Sequence, residues 1–288
     1  MAVAVVTDTT SYLPGELADA NQIQLVSLYV VFGGERTVRE ADITDYDAFF
    51  EELRGTEQLP TTSQPSVGDF MQVWEPLLAA GDDVVSIHIS GGISGTVESA
   101  RQAAEQLERD GKGGERVRVL DSATSAGGLG LVALAAARAA QRGLGLDEVA
   151  TVAEDARASL KMWFAIDTLE FLKRSGRIGA ASAWLGSTLK IKPILTLESE
   201  MTPVERVRTS KRAFERMVDY AKLRQSSGMN AWVVQHIQAP DQAEALAERC
   251  REVFGHDPVF TSEIGPVLGA HTGPGLLGVG SIHERFFE

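Results

Sequence analysis

The chain has 288 residues, 44% hydrophobic and 23% charged, enough to bury a large core and more than one typical single-core domain requires. A net charge of −13 argues against nucleic acid or an anionic membrane surface as the main partner, because both are held by clustered Lys and Arg. The single cysteine, Cys250, forms no internal disulfide and fits a reducing cytoplasm.

Residues 1–6 run directly into an apolar strand with no basic segment before it, so no secretory signal is expected. No stretch reaches the roughly 18 apolar residues of a membrane helix. The longest candidate, residues 129–140, is interrupted by Gly130 and Arg138. Runs rich in β-branched residues at 2–6, 25–31, 84–89 and 117–120 alternate with helical patterns, which predicts a parallel sheet. Pro14 suits the first turn of a short helix. Thr44 with Asp47 forms a near-capping box for a helix through Leu53, and Ser66 with Asp69 another for a helix through Ala80. An Ala-rich stretch predicts paired helices at 127–141 and 147–160, joined by Gly143-Leu144-Gly145. In the second half, strands are predicted at 163–167, 194–197, 231–237, 259–264 and 276–281, with helices at 168–174, 209–225 and 241–254. The chain thus divides into two α/β domains, 1–160 and 161–288, packed directly without a low-complexity linker. A crevice between packed domains is a usual ligand site.

Three segments are crowded with residues that suit a ligand. Thr61-Thr62-Ser63-Gln64-Pro65-Ser66 precedes a capped helix, and Ser90-Gly91-Gly92-Ile93-Ser94-Gly95-Thr96 follows a strand and precedes a helical run. Glycine lets the backbone approach a ligand, a helix start presents unpaired N–H groups, and Ser and Thr add hydroxyl donors. Together these describe a pocket for one small anionic group, carboxylate or phosphate. The same residues equally serve as caps and turn formers. The third segment, residues 263–275, contains two Gly-Pro steps and predicts a rigid, close-approaching loop with His271 at its middle. From sequence, that histidine is either a ligand contact or a structural residue.

Standard catalytic patterns are missing. Loop 91–96 has no Walker lysine, and Ser94 lacks the second glycine of a hydrolase elbow. Gly128, Gly130 and Ala133 match a dinucleotide fingerprint loosely, but they sit inside a predicted helix and read as packing. No His/Cys/Asp/Glu cluster has metal-ligand spacing. Glu51-Glu52 and Asp82-Asp83 read as solvated charge.

Several stretches, taken together and in order, resemble the DegV family over nearly the whole chain. They are Val5-Val6-Thr7-Asp8-Thr9-Thr10-Ser11, Ala41-Asp42-Ile43-Thr44, residues 61–66, Ser86-Ile87-His88-Ile89-Ser90 with Ser94-Gly95-Thr96, and Asp121-Ser122. Further matches are Asp167-Thr168-Leu169-Glu170, Gly176-Arg177-Ile178, Ile191-Lys192-Pro193-Ile194-Leu195 and the 263–275 segment. Gly91-Gly92 departs from the family, which usually has a polar or charged pair there. The resemblance implies a Rossmann-like parallel sheet in the first domain, a mixed sheet in the second, and a long-chain fatty acid at their interface. It implies that Thr62 and Ser94 hold the carboxylate, with Thr61, Ser63, Gly95 and His271 close by. It further implies a non-catalytic bacterial carrier that needs no cofactor beyond its lipid. In the family, such a carrier presents the acid to a dihydroxyacetone-kinase-like fatty acid kinase, whose acyl phosphate enters phospholipid synthesis. Transient membrane contact stays open on this reading; an integral membrane protein does not.

The physical logic agrees. At ~0.8 kcal/mol per buried CH₂, about fourteen methylenes contribute on the order of 11 kcal/mol before ordering costs. The head group mainly fixes orientation. Loops 61–66 and 90–96 contain no Lys or Arg, so neutral donors are expected to hold the carboxylate without quenching its oxygen as a nucleophile. Arg206, Arg208, Lys211 and Arg212 form a basic segment read either as a solvated helix start or as a kinase-docking surface built on Arg206 and Arg208. The alternative to a carrier is a lipid hydrolase or acyltransferase using Ser94, His271 and an acid such as Asp167.

Overall fold

The computed structural model describes residues 2–34, 36–56, 58–185 and 191–288. Strand β1 (Val3–Asp8) is followed by α1 (Gly15–Ala20), β2 (Gln24–Val26), β3 (Tyr29–Phe32), β4 (Arg36–Arg39) and α2 (Tyr46–Gly55). Next come β5 (Thr61–Ser63), α3 (Val67–Ala79), β6 (Asp83–His88), α4 (Thr96–Arg109), β7 (Val117–Asp121), α5 (Ala126–Gln141) and α6 (Leu146–Ser159). The second half contains β8 (Lys161–Ala165), α7 (Glu170–Arg174), β9 (Lys192–Glu198), β10 (Glu200–Val207) and α8 (Ser210–Ser226). It ends with β11 (Ala231–His236), α9 (Pro240–Phe254), β12 (Phe260–Glu263), α10 (Pro266–Thr272) and β13 (Leu277–Ile282).

The first half forms the expected parallel sheet, ordered β2-β1-β6-β7. The second half forms a six-stranded mixed sheet, ordered β10-β9-β8-β13-β11-β12, in which β11 and β12 alone run parallel. A small antiparallel sheet, β4-β3-β5, was not foreseen. Strand β6 is buried along its whole length because both faces are covered. Val85 and Ile87 share a core with α5, while Val84 joins Phe70 and Trp74 of α3 and Leu107 of α4. Helix α5 is buried along nearly all its length, Arg138 and Gln141 in its last turn apart, and touches strands of both large sheets. A Cβ on Gly130 would lie 2.9 Å from Phe260 and 3.1 Å from Leu13, so the glycines of α5 are packing residues and hold no dinucleotide.

Several local expectations need correction. The predicted strand 25–31 is two strands in different sheets, separated where Ser27 accepts the Ala41 N–H (3.1 Å) and donates to the Leu28 carbonyl (2.8 Å). Helix α2 is capped by Asp45, which accepts from Ala48 N–H at 2.9 Å, and not by Thr44. Asp83 starts β6 and is only 9% exposed, so it is not solvated charge. The Gly-Pro segment after Glu263 contains a helix, α10, where a loop was predicted. The box of Ser66 and Asp69, in contrast, forms as read. No helix among the described residues is long and apolar enough to cross a membrane.

Candidate ligand-binding site

A cavity of about 950 Å³, its mouth included, opens between the two large sheets. Its walls are mainly apolar, built from Leu28, Ile89, Met162, Phe164, Leu197 and Leu276 among others. Polar atoms come from Thr62, Gln64, Ser94, Thr124, Ser125, Gln235, His271 and Thr272.

Strand β5 alternates, so Thr62 faces the cavity while Thr61 and Ser63 point outward and are exposed. Those two residues are therefore not part of the cavity wall; the Ser63 hydroxyl donates to the Gln64 carbonyl instead. Ser94 and Gly95 line the cavity at the start of α4. The Ser94 hydroxyl bonds Thr96 Oγ1 at 2.8 Å and accepts the Thr96 N–H at 3.3 Å. A Cβ on Gly95 would fall 2.8 Å from the Gln64 amide nitrogen, so the Gln64 side chain packs directly over this turn.

The deciding contact spans 209 residues: Thr62 Oγ1 and His271 Nε2 are 2.7 Å apart. His271 Nδ1 is buried without a partner. Burial, reinforced by the nearby Arg177 cation, pushes the imidazole down to about 4, so it is neutral near pH 7. An orphaned buried N–H is rarer than an orphaned acceptor, so we assign the proton to Nε2, donating to Thr62. The Thr62 hydroxyl proton is then free to point into the cavity.

Helix α10 carries His271 and is seated by three glycines at intervals of four. A Cβ on Gly265 would lie 2.5 Å from the Tyr46 hydroxyl, one on Gly269 2.5 Å from the Phe50 ring, and one on Gly273 2.5 Å from the Phe171 ring. Tyr46 and Phe50 are themselves four apart on α2, so two helical faces mesh at backbone distance.

Arg177 was missed as a site residue. It is exposed, lines the cavity mouth, and donates to the Ser175 carbonyl at 2.7 Å. Loops 61–66 and 90–96 themselves contain no Lys or Arg, so the Arg177 cation comes to the cavity from a different segment. The unusual Gly91-Gly92 pair also has a local cause. A Cβ on Gly92 would sit 2.0 Å from the Ser199 carbonyl, and one on Gly91 2.9 Å from the Asp121 carboxylate. Ser90 donates to the same Ser199 carbonyl at 2.8 Å, so the β9–β10 turn rests directly on the loop that carries Ser94.

The hydrolase geometry is not assembled. Asp167 pairs with Lys192 and lines a different pocket, Ser94 bonds Thr96, and His271 bonds Thr62. A Ser–His–Asp chain does exist elsewhere: Ser86 Oγ to His88 Nε2 at 2.7 Å and His88 Nδ1 to Asp8 at 3.1 Å. All three are completely buried and none lines the cavity. Asp8 also accepts the Ile89 N–H at 2.9 Å, so this chain ties β1 to the end of β6 and braces the 90–96 loop. Among the described residues, no group of three His, Cys, Asp or Glu could hold a metal ion.

Arg206 lies on edge strand β10, not at a helix start, and its guanidinium sits 5.4 Å from the Trp184 ring. Arg208 is exposed between β10 and α8, whose cap is Thr209.

The family model for uncharacterised proteins of the DegV family matches residues 2–284. The chain belongs to the DegV family. A DegV domain-containing protein of Streptomyces coelicolor is 40% identical over 280 residues, covering 96% of this chain and 97% of that one. Protein DegV of Bacillus subtilis is 36% identical over 283 residues, covering 97% and 98%. The fold matches a DegV family protein from Thermus thermophilus described as fatty-acid binding, with TM-score 0.87, 34% identity, and 98% and 100% coverage. It also matches the crystal structure of DegV from Bacillus subtilis, described as a fatty acid binding protein, with TM-score 0.87, 35% identity, and 98% and 99% coverage. In this DegV chain, Thr62, Ser94, Gly95 and His271 share one cavity although three separate parts of the sequence supply them.

Proposed function

We propose that this chain binds one long-chain fatty acid, tail in the apolar cavity and carboxylate against Thr62, Ser94, Gly95 and His271. The observation that carries the reading is the 2.7 Å contact between buried His271 and Thr62 in the wall of a mainly apolar cavity. Relatives described as fatty-acid-binding proteins support it. The Thr62 and Ser94 hydroxyls are donors that orient a carboxylate while leaving its oxygens nucleophilic. On this reading the protein is a cytoplasmic carrier without catalysis of its own, with its domain boundary near residue 160. It presents the acid to a dihydroxyacetone-kinase-like fatty acid kinase. There a carboxylate oxygen forms a bond to the terminal phosphorus of a nucleoside triphosphate as the bond to the diphosphate breaks. The acyl phosphate then serves phospholipid synthesis.

Two measurements test the two halves of this proposal. Delipidated protein titrated with a long-chain acid and with its methyl ester is expected to bind the acid at least about tenfold more tightly, from hydrogen bonds to a charged head worth ~1.5–3 kcal/mol. Equal affinities would contradict a carboxylate site. For the kinase half, reversing Arg206 and Arg208 to Glu is expected to slow phosphorylation and leave lipid affinity intact. Loss of both together would remove the case for docking there.

A further inference from the structure

Glu40 is an acid with no part in the proposed function, yet it is 2% exposed and lies beneath α10. Its Oε1 accepts the Tyr12 hydroxyl at 2.8 Å and the Val267 N–H at 2.8 Å, while Oε2 accepts the Thr9 hydroxyl at 2.5 Å. The Tyr12 oxygen in turn accepts the Leu268 N–H at 3.2 Å. Val267 and Leu268 form the first turn of α10, whose N–H groups have no partner within the helix. One buried carboxylate and one buried phenol, both from the first 40 residues, thus satisfy the start of the helix that ends at His271. Pro266, which has no N–H, precedes them.

We infer that Glu40 is a positioning residue: through Val267 and Tyr12 it fixes the first turn of α10 and thereby aims His271 at Thr62. The inference rests on the proposed fatty acid site for its function, but the placement of His271 can be read without any lipid. An intact capping carboxylate also favours the helix dipole. Burial pushes Glu40 up to about 7, opposed by its three donors and reinforced by the like charge of Asp8. The titratable groups around it are Asp8 from β1, Tyr12, and Tyr46 from α2, with Glu263 of β12 beyond Tyr46 and Arg39 and Asp42 on its own turn. Because the folded protein holds this proton more tightly than the unfolded chain, stability is lost as pH rises from the ordinary carboxylate range to about 7, and is flat above it. His271 titrates near 4 and does not interfere in that upper window.

The test uses Glu40→Gln, Glu40→Leu and Tyr12→Phe in the full chain, delipidated, with ¹⁵N-labelled histidine. Glutamine preserves the acceptor for Tyr12 and Val267 and turns its amide toward Thr9, whose oxygen can accept. In the unsubstituted protein the His271 imidazole resonances are expected to step at a pH near 7; in Glu40→Gln they keep their chemical shift without the step. Palmitate affinity is expected to be within threefold of normal in Glu40→Gln and at least tenfold weaker in Glu40→Leu. If Glu40→Leu does not fold, Tyr12→Phe replaces it and is expected to weaken binding at least threefold. Absence of the His271 step, or unchanged affinity in the folded Leu or Phe variant, would overturn the inference. A normal His271 step in a protein that takes up no fatty acid would instead contradict the proposed function and leave the positioning role standing.

Discussion

Gly269→Val drives a branched side chain into the Phe50 ring and is expected to unseat α10. The Cβ alone would lie 2.5 Å from two ring carbons, and Phe50 is 0% exposed, with no room to turn aside. Overpacking of this kind costs ~1–3 kcal/mol in global stability, measurable as a lowered urea midpoint at unchanged slope. The larger effect falls on the ligand. His271 lies two residues further along the same short helix, so a displaced α10 breaks its 2.7 Å contact with Thr62. Fatty acid affinity is expected to fall more than tenfold under conditions where the variant is still fully folded. Gly68→Ala serves as the control. It sits on an exposed helical turn with nothing nearer than 3.6 Å, and is expected to be neutral or slightly stabilising.

The second large effect separates head from tail. Thr62→Val keeps shape and removes the hydroxyl; Ser94→Ala does the same at the start of α4. Each deletes a donor to a charged group, worth ~1.5–3 kcal/mol, or roughly 10- to 100-fold in affinity. The pair act on one carboxylate and are expected to be less than additive, with the double variant roughly 100-fold or more weaker. Chain-length dependence is the diagnostic. Each added CH₂ contributes ~0.8 kcal/mol, about fourfold in affinity, in the unsubstituted protein and in all three variants alike. Parallel lines with shifted intercepts support a polar head site joined to a separate apolar cavity. A changed slope would mean that Thr62 and Ser94 shape the tail region instead.

How much of this was legible beforehand depends on how local each cause is. The box of Ser66 and Asp69 was readable because donor and acceptor lie three residues apart. The Val-Val pair and Ile87 of β6 and the Ala- and Leu-rich α5 were readable because burial on most sides leaves a largely hydrophobic run. Helix α10 was not, because four of the residues from Gly265 to Gly273 are Gly or Pro, which signal a loop. Its seven residues are helical because Glu40, Tyr12 and three aromatic rings hold them, all from distant sequence. Strand β10 was missed because half of its side chains are polar or charged, and Pro203 adjoins a register shift. At the site, the 61–66 loop and His271 stood out separately by residue content, and only family resemblance put Thr62 and His271 together; nothing local connects positions 209 apart. Thr61 and Ser63 came with the same hydroxyl cluster, and only the alternation of β5 separates them from Thr62. Arg177 fell in a family-matching stretch without a role assigned to it, and Glu40 carries no local mark. Their surroundings arise from what the fold places beside them.

Denaturing extraction of the protein as purified, followed by mass spectrometry of the lipid fraction, addresses the main claim most directly. Close to one long-chain fatty acid per chain is predicted, with delipidated protein taking up the same acid again at one per chain. Protein that yields no fatty acid and fails to bind one when it is offered would contradict the account.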